Sequence, residues 1–130
     1  MEHVLSHSMD NNPVNCLVVH ENFLYSGSQD CTIIKWNIDG QCLHTFMQGY
    51  PAQVTCLVVF RGDLYSGSVD GSIIKRWTLD GQPLQILKSH ANLAHSLAIW
   101  NDTLVGGDED GIIQWTGDTF NIKLSVFICA

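Results

Sequence analysis

Apolar residues along this chain gather in short clusters of five to seven, and no stretch sustains a period of 3.6. Val14 to Val19, Phe23 to Gly27, Thr32 to Trp36 and Gln41 to Met47 are rich in Val, Ile, Leu, Phe, Tyr, Thr and Trp. Such side chains suit a pleated, half-buried surface. Between them lie His20-Glu21-Asn22, Ser28-Gln29-Asp30 and Asn37-Ile38-Asp39-Gly40, all built from turn formers. The pattern predicts four strands and no helix. Asp39-Gly40 marks a hairpin, because glycine reaches φ > 0 without a Cβ clash.

The whole pattern then returns at an offset of 40 residues. Val14-Asn15-Cys16-Leu17-Val18-Val19 recurs as Val54-Thr55-Cys56-Leu57-Val58-Val59, with a weaker copy at Ala94-His95-Ser96-Leu97-Ala98-Ile99. Leu24-Tyr25-Ser26-Gly27-Ser28 matches Leu64-Tyr65-Ser66-Gly67-Ser68 and then Leu104-Val105-Gly106-Gly107-Asp108. An aspartate follows each copy, at Asp30, Asp70 and Asp110. Paired isoleucines and a tryptophan come next, as Ile33-Ile34-Lys35-Trp36, Ile73-Ile74-Lys75-Arg76-Trp77 and Ile112-Ile113-Gln114-Trp115. Asp80-Gly81 repeats the Asp-Gly turn. A fixed period of this size signals a repeat architecture, in which stacked units share a continuous core.

Four strands per repeat of this length resembles a WD-repeat propeller blade. The Ser-Gly-Ser segment, the Asp, the paired Ile and the Trp carry the likeness. It covers roughly residues 14 to 127. The expected fold is all-β: three consecutive four-stranded antiparallel blades, in a ring that one chain does not close. The blades are expected at residues 14–47, 54–88 and 94–127, the last with an incomplete outer strand. Residues 1–13 read as the end of a preceding blade's outer strand and a linker.

The resemblance implies a buried hydrogen-bonded chain of His, Ser or Thr, Asp and Trp in each blade. By position, blade one offers Ser26, Asp30 and Trp36, with His7 spaced too far from Val14. Blade two offers Ser66, Asp70 and Trp77, with Tyr50 in place of the histidine. Blade three offers His90, Asp110 and Trp115, with Gly106 in place of the serine. The family's Trp-Asp pair is absent: the pairs here are Trp36-Asn37, Trp77-Thr78 and Trp115-Thr116. Arg76 looks like an extra residue within a strand, which predicts a bulge there.

Composition narrows the functions. Hydrophobic residues make up 45% of the chain and charged residues 15%, as in a globular domain. The net charge of −7, with no basic cluster, argues against nucleic acid and against anionic membranes. Met1 to His7 lacks the positive and apolar regions of a secretory signal, and no apolar run is long enough to span a bilayer. The five cysteines form no Cys-x-x-Cys pair, which speaks against structural zinc and a disulfide framework. A reducing setting is expected, the cytoplasm with the nucleus as alternative.

No constellation points to catalysis. Asp108-Glu109-Asp110 lacks the alternating ligands of a calcium loop and reads as a solvated turn. Gly106-Gly107 precedes neither a helix nor a lysine, so it is no phosphate cradle. Ser-Gly-Ser is not a nucleophile elbow, and Cys16 and Cys56 sit between apolar neighbours as small core residues. No cofactor, metal site or catalytic residue is expected.

The expected function is a non-catalytic scaffold that binds other proteins or peptides. The resemblance implies contacts along one rim, at Asn15, Gln53, Thr55 and His95 where inner strands begin, and at Gln29, Val69 and Glu109 beside the aspartates. Alternatives are a substrate-targeting segment of a ubiquitin ligase or kinase, and a small-molecule-binding propeller. Propellers close with about four to eight blades, and each blade presses an apolar face on its neighbour. Three blades therefore predict a piece of a longer propeller, self-association that completes a ring, or an open array.

Overall fold

The structure, a computed structural model, describes residues 5–6, 12–47, 52–68, 73–88, 96–107, 113–116 and 125–127. Twelve strands run in chain order: β1 Val14–His20, β2 Phe23–Ser28, β3 Thr32–Trp36, β4 Cys42–Met47, β5 Val54–Phe60, β6 Asp63–Ser68, β7 Ile73–Trp77, β8 Pro83–Lys88, β9 Ser96–Trp100, β10 Thr103–Gly107, β11 Ile113–Thr116 and β12 Ser125–Phe127. They form three antiparallel four-stranded sheets, each a meander of consecutive strands. Most of residues 1–13, the expected end of a preceding blade, lie outside the described residues.

Local chemistry sets the turns. The β5–β6 hairpin holds both Arg61 (φ 50°) and Gly62 (φ 80°) in the left-handed region, as do Asn101 (φ 51°) and Asp102 (φ 55°) between β9 and β10. Two successive positive φ values match the right-handed twist of the strands they join. In the β3–β4 turn, Asn37 Oδ1 accepts the N–H groups of Asp39 (3.0 Å) and Gln41 (2.9 Å), and Gly40 takes φ 82°. Thr78 Oγ1 plays the same part in blade two, accepting the Gln82 N–H at 3.0 Å. A short polar side chain that bonds its own backbone closes such turns.

The register assigns each side chain to a flank. In β5, Val54, Leu57 and Val59 join a core with Tyr25, Ile33, Phe46, Leu64 and Trp77. This core is the seam between blades one and two. Val58 and Phe60, on the opposite face of β5, join Tyr65, Ile74, Leu97 and Leu104 in the seam toward blade three. Alternation along one strand thus feeds two cores. The seam to blade two takes Cys16 and Val18 from β1, whereas Leu17 and Val19 on the other face are 62% and 68% exposed. Leu5 lies beside Val19, Leu24 and Ile38 at one edge of that open face.

Two sequence expectations are corrected. Arg76 does not bulge the β6–β7 ladder, where Leu64↔Trp77, Tyr65↔Arg76, Ser66↔Lys75 and Gly67↔Ile74 pair one to one. The register shift at Arg76/Trp77 toward β8 has a counterpart at Lys35/Trp36, where nothing is inserted. The extra residue falls between Ser68 and Ile73, because a connection absorbs a length change without flipping a strand's faces. The partner of Ile33 is therefore Ile74 rather than Ile73, since both oppose the strand glycine, Gly27 or Gly67.

Trp115 is likewise out of place. Trp36 and Trp77 oppose Leu24 and Leu64, but Leu104 opposes Thr116, and Trp115 opposes Val105. Blade three keeps the glycine–isoleucine pairing, Gly107↔Ile113, but its tryptophan follows that isoleucine by two residues, where Trp36 follows Ile33 and Trp77 follows Ile74 by three, and this moves it one register step. Trp115 holds the position of Lys35 and Arg76.

Gly27 marks a close approach at the first seam. A Cβ there would lie 2.5 Å from Val54 Cγ1 and 2.6 Å from Cys16 Sγ. Gly27→Ala is expected to push the blades apart and cost about 1–3 kcal/mol, the usual penalty for overpacking, read as a lowered urea midpoint. The seam also silences a thiol. Burial pushes the Cys16 thiol up to about 12, with smaller effects from Cys56 (raising) and the Gly27 carbonyl (lowering). Its thiolate fraction at pH 8 is then about a thousandfold below that of an ordinary thiol. Iodoacetamide followed by mass spectrometry should modify the exposed Cys42 long before Cys16.

Candidate protein-interaction rim

In blades one and two the second strand carries the serine that anchors the tryptophan. In blade one, Trp36 Nε1 donates to Ser26 Oγ at 2.8 Å. In blade two, Trp77 Nε1 donates to Ser66 Oγ at 3.0 Å, and Ser66 Oγ donates on to the Lys75 carbonyl at 3.5 Å. All four side chains are buried, so each bond satisfies an indole N–H that water does not reach. The ladder makes this possible: Trp36 sits two pairs along from Ser26 on the same face, and Trp77 stands in the same relation to Ser66.

Asp30 closes the turn after β2. Its Oδ1 accepts the Thr32 N–H at 3.0 Å and the Thr32 hydroxyl at 2.6 Å. Ser28, which the sequence did not single out for a role, is wholly buried and holds the same turn. Its Oγ donates to the Pro13 carbonyl (3.0 Å) and accepts the Asp30 N–H (3.1 Å). The signal was present in the repeated Ser-Gly-Ser, whose second serine returns as the buried Ser68. Asp70, His90 and Asp110 lie outside the described residues, as do the rim candidates Val69, His95 and Glu109.

The remaining rim candidates are brought to one edge. The β1–β2 ladder shifts register between Val14 and Cys16, and the β5–β6 ladder between Val54 and Cys56. Asn15 and Thr55 are thus the bulge residues of their strands, a position that re-aims a side chain. Asn15 Nδ2 crosses to the Val54 carbonyl at 3.0 Å and to Gln53 Oε1 at 3.5 Å. Thr55 Oγ1 donates to the Gly67 carbonyl at 3.2 Å. The exposed Gln29 sits in the neighbouring turn, its N–H bonded to the Pro13 carbonyl at 3.0 Å. Asn15 and Gln53 therefore clasp the seam as well as bordering the rim.

Among the described residues, no group of His, Cys, Asp and Glu is placed to hold a metal ion. The opposite edge carries the charged contacts. Lys35 Nζ donates to the Leu79 carbonyl at 3.2 Å, lies 3.7 Å from Asp80, and sits over the Phe23 ring at 4.3 Å. Arg61 pairs with Asp102 at 2.9 Å across the second seam. Tyr25, in the first core, keeps its hydroxyl buried with no hydrogen-bond partner among the described residues; burial, then Asp80 and Glu21, push its pKa up.

The Ser66–Trp77 bond has a measurable worth. Ser66→Ala leaves a buried indole donor without its acceptor, and a loss of about 1–3 kcal/mol is expected in urea unfolding. The loss should shrink in a Trp77→Phe background, where no donor remains. An undiminished loss would show that the serine matters for packing alone.

Comparison with known proteins agrees with this architecture. The profile of the WD domain, G-beta repeat, matches residues 2–37. No curated protein matches the chain. Among solved structures, the chain is similar to U3-55K, with a TM-score of 0.84 and 24% identity over 98% of this chain and 42% of that one. It is similar to the WD40 repeats of RRP9, with a TM-score of 0.86 and 22% identity over 98% and 41%. It is also similar to the computationally designed Ika4 protein, with a TM-score of 0.76 and 30% identity over 94% and 74%. The chain spans about two-fifths of the length of the first two. Three meander sheets in succession, two of them holding the same buried serine–tryptophan pair, and this set of matches place the chain in the WD-repeat β-propeller family, as a partial propeller.

Proposed function

We propose that this chain is a non-catalytic scaffold that binds other proteins or peptides along the edge where its inner strands begin. The observation that carries the reading is the shared bulge, which sets Asn15 and Thr55 at equivalent places on adjacent blades with Gln53 between them. Amide side chains both donate and accept, as peptide backbones do, so a row of them suits an extended peptide. His95, Val69 and Glu109 extend the proposed row by repeat position. Nucleic acid and membranes are not among the proposed partners, given the net charge of −7. Cys16, Cys31, Cys42 and Cys56 are free thiols, which suits a reducing cytoplasm or nucleus.

A test starts from peptides selected on the chain by random display. Gln29→Arg combined with Gln53→Arg should weaken the selected peptides at least tenfold, about 1.4 kcal/mol, in fluorescence anisotropy. Gln82→Arg, at the opposite edge, should leave affinity within twofold. Equal affinity for the rim variant and the parent would overturn the reading.

A further inference from the structure

The repeats provide an internal measure of what each flank needs. Leu57 is 7% exposed because blade one covers it, while its counterpart Leu17 is 62% exposed. Val54 is wholly buried, while Val14 is exposed. At the other end, Phe60 is buried under blade three, while its counterpart Trp100 is 60% exposed and Ala98 is exposed beside it. Among the described residues, the chain therefore displays two largely exposed flanks of opposite kind. One is the sort that blade two turns toward blade one. The other is the sort that blade two turns toward blade three.

We propose that these flanks cover each other in a dimer: blade three of one copy packs on blade one of the second copy, and the reverse, closing a ring of six blades. The template is the pair of seams already present in the chain, where β1 packs on β5 and β5 on β9. A twofold arrangement makes the two new seams identical and leaves no flank bare. Six blades fall within the range in which propellers close.

The seam chemistry is compatible at the positions the repeat brings together. In the second seam Arg61, first in its turn, meets Asp102, second in its turn. The new seam would bring Asn101 opposite Asn22 of the second copy, two amides that can bond each other with no like charges. In the first seam Lys35 crosses to the Leu79–Asp80 turn. Its register position in blade three is held by Trp115, and the matching turn of blade one carries Ile38, which is 78% exposed. The net charge of −7 slows the encounter of two copies at low salt, and screening relieves it at physiological ionic strength.

Light scattering coupled to size exclusion, run on the purified chain at physiological salt, tests this. A species of twice the 14.5 kDa monomer mass is expected. Leu17→Glu with Val19→Glu should weaken dimerisation at least a hundredfold while far-UV circular dichroism stays unchanged, because both side chains are already exposed. Ala98→Glu should weaken it from the other flank. Mixing the two variants should restore a one-to-one complex, since one intact seam remains; two copies joined blade one to blade one would not behave so. The rim variant with Gln29→Arg and Gln53→Arg should dimerise as the parent does, which separates this proposal from the peptide-binding one. A monomer, an open ladder of higher species, or a dimer indifferent to Leu17→Glu and Val19→Glu overturns it.

Discussion

Everything in this structure depends on burying a sheet on both of its faces. A four-stranded meander alone offers two apolar faces to water, and neither can be folded back on the other. The solution is lateral stacking, and β5 shows it most plainly. Val54 and Leu57 go to one core, and Phe60 goes to the next. Burying side chains of this size contributes roughly 1.5–3 kcal/mol each. Most of the stabilisation of blade two thus comes from its neighbours, which is the expected behaviour of a quasi-one-dimensional array.

Given that constraint, the polar groups inside the blades serve alignment. The serine–tryptophan bonds fix the depth at which each large indole enters its face. In blade two this indole lies against Phe46, with ring centroids 5.5 Å apart. Lys75 is buried over the same indole at 4.4 Å, and burial lowers its pKa. It reaches this place because Lys75 pairs with Ser66, where blade one pairs Ile34 with Ser26. A charged side chain thus occupies a core position as the direct result of where a one-residue insertion was absorbed. Its aliphatic stem does the packing that the isoleucine does elsewhere.

Much of this was legible in the sequence. The offset of 40 residues gives the blade count, the strands and turns follow from aligning the copies, and the serine–tryptophan partners follow from the resemblance to WD-repeat blades. What alignment alone did not give was register. Matching tryptophan to tryptophan placed Arg76 as an insertion and Trp115 as an equivalent, whereas the ladders match glycine to isoleucine. The strand glycine is the less forgiving landmark, since Gly27 admits no side chain against Val54 and Cys16. A tryptophan can shift by a residue if other side chains fill its place. A steric exclusion at a seam permits no such shift. The bulges at Asn15 and Thr55 were also invisible, because a bulge is a property of two paired strands, and the repeat conceals it by carrying it in both copies.

The seams raise a question of order, because near-identical blades invite the wrong neighbours to pair, a known hazard of repeat proteins. Their apolar contacts cannot prevent this: Leu17, Leu57 and Leu97 are the same residue at the same place. Discrimination must come from groups that differ, and these lie at the edges. The first seam carries Asn15 on the Val54 carbonyl and Lys35 on the Leu79 carbonyl, whereas the second carries Arg61 on Asp102. The ion pairs themselves contribute little, since Asp80 is 90% exposed, and exposed pairs are worth about 0–1 kcal/mol. Their leverage is in the alternatives. A blade set so that the Lys35 ammonium missed its turn carbonyl would bury a largely desolvated ammonium unpaired, which costs far more than the pair contributes. Apolar repetition therefore makes the stack stable, and a few unrepeated polar groups at its edges decide which blade stands beside which.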